Sequence, residues 1–277
     1  MNKQVLFFMN LNAKDLAKKF FNKFFWRQHP EAALRYLPVV SAIKRSRLTN
    51  SKILEIGSGS LGIIPYLKKN IDGVDINFSG PQTPLLNKIK GRADDLPFRK
   101  NSYDVVISVD VIEHLPQNVR ERAIFEQLRV SRKLAVIVVP ISKLSEEQDR
   151  ELYAYWHKIF KAKSQFLQEH IENELPSVDE ILVWIDKSAR KLKKDIKVRS
   201  KPILNLLVRK YLMRTWISKN KYIYYLYLKG YLLLLPLLRL ANFGNCYRRI
   251  FVIELQSSGR SSLEPYSDRI DKAKDKT

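Results

Sequence analysis

Cysteine is almost missing from this chain: Cys246 is the only one in 277 residues. A single thiol excludes a disulfide framework and a cysteine-rich zinc site, and with nothing arguing for an oxidising compartment a cytoplasmic location is expected. Long apolar runs are missing as well. The N-terminal MNKQVLFFMNLNAKDL has too short an apolar stretch, and no small-residue cleavage site, to read as a secretory signal. In the most apolar segment, KYIYYLYLKGYLLLLPLLRLANF, only nine residues separate Lys229 from Arg239, whereas a spanning helix needs about twenty. No internal repeat is present. Acidic residues are scarce, 28 against 50 Lys and Arg, for a net charge of +22. The deficit is local: from Lys187 to Arg249 there are 17 bases and one acid, Asp195, a balance of 17 − 1 = +16. Such a block attracts an anionic partner, be it nucleic acid, phosphorylated glycan or an acidic membrane surface, and charge alone does not choose among them.

The 45% hydrophobic content is enough for a full core, most simply one domain with elaborations. Two amphipathic helices are expected over 12–47, with Pro30 in a first turn, as a lid or brace. Alternation follows: strand 52–57, helix 61–69, strand 71–76, a short helix near 82–88, an extended piece at 88–93, strand 103–109, helix 117–130 and strand 133–140. This order predicts a parallel sheet with helices on both faces, and YDVVISV and KLAVIVVP are nearly continuously apolar, as doubly covered strands must be. Beyond Pro140 the pattern becomes helical over 144–173 and 178–193, with a sixth strand near 195–201 and a long Tyr- and Leu-rich helical insertion at 203–242. YRRIFVIEL, from Tyr247 to Leu255, reads as a last strand. The expected organisation is a helical brace at 1–50, a core at 51–142, basic helical insertions with the sixth strand at 143–245, a final core strand at 246–256 and a disordered tail at 257–277.

ILEIGSGSLG, from Ile53 to Gly62, carries the chemistry. An apolar strand runs into a glycine-rich turn that opens a helix; Gly57 and Gly59 let a ligand approach the main chain with no Cβ in the way. Asp75, closing the second strand in IDGVDI, is placed to accept both hydroxyls of a ribose. Beyond these lie GRADDLPF and SYDVVISVDVIEHLP. With those four marks in order, residues 52–140, plus YRRIFVIEL, resemble the class I S-adenosylmethionine-dependent methyltransferases, in the branch that includes quinone, small-molecule and lipid methylating enzymes.

The resemblance implies an α/β, Rossmann-like, seven-stranded, mostly parallel sheet with YRRIFVIEL antiparallel beside the fifth strand, and S-adenosylmethionine as cofactor. It assigns cofactor contacts to Glu55, Gly57, Ser58, Gly59, Asp75, Ile76, Ala93, Asp94, Asp95, Leu96 and Ser108: Glu55 and the 57–60 amides at the methionine part, Asp75 at the ribose, and the turn at 92–96 at adenine. Two positions depart from the family pattern. Arg92 follows Gly91 where an aspartate is usual, leaving Asp94 to substitute by a shifted turn, and Leu61 precedes Gly62 where a close third glycine is common.

Asp110, Glu113 and His114 lie just past the fourth strand, where open α/β sheets place their chemistry. His114 could take a proton from a hydroxyl; equally, His114 and Glu113 could cap the turn before helix 117–130. A metal is not expected, since Gln117 supplies no second imidazole one turn on. No NPPY tetrapeptide follows the fourth strand, which weighs against methylation of an adenine or glutamine amide nitrogen, and one thiol weighs against cysteine-dependent pyrimidine methylation. An oxygen acceptor on a small, lipid-linked or glycan-type molecule is expected, with amines and acidic carbons open. The alternatives are an RNA methyltransferase using the +16 block, a nicotinamide-dependent oxidoreductase, which would leave GRADDLPF unexplained, and a non-catalytic membrane adaptor. Tyr153, Tyr155, Trp156 and His157 form either an aromatic wall for an acceptor or ordinary helix packing, the simpler account. The 203–242 insertion fits a helix lying in a membrane interface or a lid over an apolar acceptor. Oligomeric state is not legible.

Overall fold

The apolar strands ILEI, YDVVISV and KLAVIVVP form the centre of a seven-stranded sheet in a computed structural model that describes residues 15–256. The strands are β1 (Ile53–Ile56), β2 (Ile71–Asp75), β3 (Leu86–Lys90), β4 (Tyr103–Val109), β5 (Ser131–Pro140), β6 (Asp195–Asn205) and β7 (Cys246–Gln256), in the order β3-β2-β1-β4-β5-β7-β6. The first five are parallel, whereas β7 slots antiparallel between β5 and β6. All of β1 and β4 is buried, because helices cover both faces.

Residues 15–24 form helix α1, and α2 spans Pro30–Arg45, with Pro30 in its first turn. Its buried residues Ala33, Tyr36, Val40 and Ile43 recur at helical spacing and bring α2 onto the sheet. The other helices are α3 (Ile64–Leu67), α4 (Gln117–Val130), α5 (Lys143–Phe160), α6 (Gln165–Asn173), α7 (Val178–Leu192), α8 (Leu206–Trp216), α9 (Lys221–Tyr225), α10 (Tyr231–Leu233) and α11 (Leu235–Leu238), with a π turn at Leu226–Gly230. α7 opens on a capping box between Ser177 and Glu180.

Several expected elements differ. The helix at 61–69 shrinks to four residues, since Lys68 turns left-handed at φ 54° and ends it. No helix forms near 82–88: Leu86 to Lys90 pair in register with Ile71 to Asp75, so sheet pairing overrides local helical preference. The helical stretch at 144–173 breaks at Lys161, again left-handed at φ 54°. The sixth strand runs on to Asn205, where the Asn205 side chain accepts from the amides of Leu207 and Val208 and caps α8. The insertion after it is a chain of short pieces rather than one helix. The expected tail at 257–277 and the first residues of the expected first helix lie outside the described residues.

Tyr153, Tyr155 and Trp156 pack against the main core, with the Trp156 and Trp216 rings 5.4 Å apart. They knit α5 to α8 instead of lining an open wall. Arg209 on α8 is buried, bonded to Asp149 at 2.7 Å and Gln148 at 2.7 Å, and the Tyr247 hydroxyl donates to Asp149 at 2.7 Å. This polar knot fastens the insertion to the sheet.

Candidate active site

The glycine loop sits at the carboxyl end of β1, where the chain must leave the sheet sharply. Gly59 has φ +53°, and a Cβ built there would meet nothing within 4 Å, so the space in front of the loop is open. Gly62 has a different task. A Cβ there would lie 2.0 Å from Glu55 Oε2, the oxygen that accepts from the Ile63 amide at 2.7 Å. Gly62 thus clears the space in which the strand's own acid turns back to hold the loop. Glu55 is buried, and its Oε1 has no full hydrogen bond. Burial pushes its carboxyl up to about 7, against the opposing pull of the Ile63 amide and the Tyr36 hydroxyl.

Asp75 ends β2 and is engaged on one side only: Oδ2 accepts from the Gly59 amide at 2.8 Å and Oδ1 from the Asn77 amide at 3.1 Å. Each oxygen keeps a second lone pair for an outside donor. Ile76 beside it is 68% exposed, an uncovered apolar side chain at the lip of the loop. The other assigned residues divide. Ser58 is buried under the loop. Ala93 is half-buried and Asp95 exposed. Arg92 pairs bidentately with Asp94, at 3.0 and 2.9 Å, and holds that carboxyl below its usual range. The Leu96 amide points inward to Glu126 Oε2 at 3.0 Å, and the Ser108 hydroxyl donates to Gln127 at 2.8 Å, so both serve the packing of α4.

Past β4 the chain makes a left-handed step at Asp110, φ +52°, and enters a 3-10 turn at Ile112–His114. A Cβ on Gly57 would lie 2.3 Å from Val111 Cγ2, so this turn lies directly against the glycine loop. Asp110 is locked in ion pairs. Arg248 of β7 reaches it at 2.8 and 2.6 Å, Arg35 of α2 at 2.6 Å, and Arg248 also meets Glu31 at 2.5 Å. Burial alone would raise the Asp110 carboxyl, but the two guanidiniums outweigh it and hold it well below the carboxylate range. It is too weak a base to take a proton. Glu113 is the reverse case, buried with neither carboxyl oxygen bonded, its affinity for a proton raised by burial and by the Asp110 charge. It is a neutral acid.

His114 is the one partly exposed member of the trio, at 27% of its side chain, and its Nδ1 lies 2.9 Å from Glu169 Oε2 on α6. Arg120 clamps the same region, donating to the carbonyls of Glu113, Leu115, Asn173 and Glu174. A carboxylate only accepts, so in the neutral imidazole Nδ1 carries the proton toward Glu169. Neither Glu169, in the unpatterned QFLQEHIEN, nor Glu31 and Arg35 carried a sequence signal; Arg248, a charge at a buried position of an apolar strand, did. Among the described residues no group of three His, Cys, Asp or Glu side chains could hold a metal ion.

A parallel sheet closed by an antiparallel seventh strand, with a glycine loop after β1 and an acid ending β2, defines the class I S-adenosylmethionine-dependent methyltransferase fold. Residues 54–139 match the model of a family described as a methyltransferase domain, and the match supports a class I S-adenosylmethionine-dependent methyltransferase with S-adenosylmethionine as cofactor. A Mycobacterium leprae phthiotriol/phenolphthiotriol dimycocerosates methyltransferase is 27% identical over 156 residues, 47% of this chain; the match spans 58% of that relative's length. Among solved structures, the small RNA methyltransferase HEN1 is 14% identical with a TM-score of 0.50 over 83% of this chain and 26% of its own, a likeness of fold. A Haemonchus contortus phosphoethanolamine methyltransferase is 16% identical with a TM-score of 0.48 over 86% of this chain and 57% of its own.

The site's donor set fits this cofactor. The unbonded Glu55 Oε1 suits an ammonium, the free lone pairs of Asp75 suit ribose hydroxyls, and the open front of Gly59 and bare Ile76 leave room for a flat base. Asp75→Ala is expected to weaken cofactor binding about tenfold to a hundredfold, the loss of two hydrogen bonds to a charged acceptor. Calorimetric titration with S-adenosylhomocysteine measures it, and unchanged affinity would remove Asp75 from the site.

Proposed function

We propose that the protein methylates a hydroxyl oxygen on a lipid or lipid-linked acceptor. The His114–Glu169 pair beside the glycine loop carries this reading. Bound S-adenosylmethionine supplies an electrophilic methyl group on a good leaving group, so alignment contributes much of the rate. The acceptor hydroxyl then needs only to be held against the His114 imidazole, which takes its proton as the new oxygen–carbon bond forms. Glu169 fixes the ring orientation and stabilises the imidazolium. Asp110, pinned between Arg35 and Arg248, holds the turn that carries His114. The lipid character of the acceptor is supported by the apolar insertion of 206–243 that packs against α2, and by the Mycobacterium leprae relative, whose name is that of a lipid methyltransferase.

His114→Ala is expected to lower kcat about a hundredfold with cofactor affinity nearly unchanged. Glu169→Gln should cost about tenfold in kcat, because a neutral amide stabilises the forming imidazolium less than the carboxylate does. Transfer of labelled methyl from S-adenosylmethionine to hydroxylated lipid extracts is the assay. Wild-type turnover in His114→Ala would leave it a turn residue, and label recovered only on amines would move the acceptor to nitrogen.

A further inference from the structure

We propose that α1 and the 206–243 insertion together form a docking face for an anionic membrane surface. Large exposed apolar side chains are concentrated there. Of the 19 among the described residues, twelve lie between Leu207 and Phe243, and three more, Leu16, Phe20 and Phe24, are on α1. A folded monomer scatters such residues singly, so this degree of concentration marks a contact surface. Tyr222 and Leu240 are each 73% exposed and Leu237 is 65% exposed.

The charge on the same elements gives the partner's sign. From Leu206 to Asn245 there are seven Lys or Arg and no acid. One of them, Arg209, is buried against Asp149, while Arg214, Lys219, Lys221 and Arg239 are exposed; α1 adds the exposed Lys18, Lys19 and Lys23. The two parts meet where Lys229 Nζ sits 4.6 Å from the centre of the Phe21 ring. Leucines with nothing to offer a phosphate or a base would be misplaced on an RNA track, whereas tyrosines, leucines and cations side by side match the headgroup boundary of a bilayer. A second copy of the chain would bring like charges together. The insertion's helical runs are α8, of 11 residues, and the stretch from α9 through the π turn to α10, continuous over 221–233, with the four-residue α11 after it, all too short to cross a bilayer, so they lie on the membrane. Among the described residues no helix is long and apolar enough to cross.

The insertion that carries the face also touches the chain at the start of α2. Tyr227 meets His29 Nδ1 at 3.1 Å, immediately before α2, whose Arg35 binds Asp110. Docking would therefore bear on the helix whose Arg35 holds Asp110. Binding needs no catalysis, so a failure of docking and a failure of methyl transfer are separable.

The test is co-sedimentation of the full chain with phosphatidylglycerol–phosphatidylcholine vesicles at low salt. The protein is expected in the pellet with these vesicles and in the supernatant with phosphatidylcholine alone. Leu233→Ser combined with Leu237→Ser should weaken vesicle binding about tenfold for each leucine, and Lys219→Glu with Lys221→Glu should abolish the preference for anionic lipid. Both pairs are exposed, so thermal melts should match wild type. Wild-type protein remaining in the supernatant, variants sedimenting as wild type, a dimer in solution that the leucine pair dissociates, or RNA binding without vesicle binding would each overturn the proposal.

Discussion

Glu55→Gln is expected to stabilise the cofactor-free protein and to weaken its hold on S-adenosylmethionine. In the fold Glu55 keeps its proton up to about 7, against an ordinary value of 4.5. Between those values the folded state binds more proton than the unfolded chain, so stability falls as pH rises from 4.5 to 7 and then levels off. At 1.36 kcal/mol for each pH unit the full loss is about 3 kcal/mol. Glutamine keeps the shape and removes the buried charge, so its advantage should be small near about pH 5 and reach about 3 kcal/mol near about pH 8 in denaturant titrations. An ammonium against Oε1 favours the ionised carboxylate, so wild type should bind S-adenosylmethionine more tightly than the variant near about pH 8, and binding should release a proton near about pH 6, where the empty site still holds it. Parallel stability–pH curves for the two proteins would show that Glu55 is ionised in the empty site.

Asp110→Ala is expected to cost about 3–5 kcal/mol of folding stability, enough to threaten the fold of a marginally stable domain. The aspartate is the shared anion between Arg248 and Arg35; without it those guanidiniums face each other with only Glu31, and Arg248 already has a buried Nη1 with no bond. Asp110→Asn retains volume and some hydrogen bonds and should still lose most of that stability, because the charge does the compensating. The depressed carboxyl also sets the acid response: its contribution is complete above an ordinary value of 3.8 and disappears only as pH falls below it. Equilibrium unfolding in guanidinium measures the effect. A loss under about 1 kcal/mol would mean that water, rather than Asp110, satisfies the two arginines.

Legibility differed between the two halves of the site. The glycine loop and Asp75 could be paired in the sequence, because the Gly59 amide lies in the loop that leaves β1 and Asp75 ends the adjacent strand β2, one short connection on. The turn at Asp110 to His114 could be located, yet its roles could not be assigned. Three neighbouring ionisable residues look interchangeable as a string; the Arg248 and Arg35 guanidiniums fix Asp110 as an anion, burial favours the protonated form of Glu113, and only His114 is left partly open. The break between α5 and α6 was not legible for a related reason, since a left-handed Lys161 has no marker as plain as proline in a helix interior.

By itself the sequence determined the alternating core, the methyl-donor loop and the excess of cations in the insertions, all properties of neighbouring residues and strand periodicity. Tertiary structure alone decided which acids are charged and what the histidine faces. Arg248 and Asp110 are 138 positions apart, Arg35 and Asp110 75, and His114 and Glu169 55. They meet because β7 returns between β5 and β6, and α2 and α6 close over the strand ends. Coulomb energy and desolvation depend on distance through space, and a linear order of residues does not contain that distance until the sheet has set it.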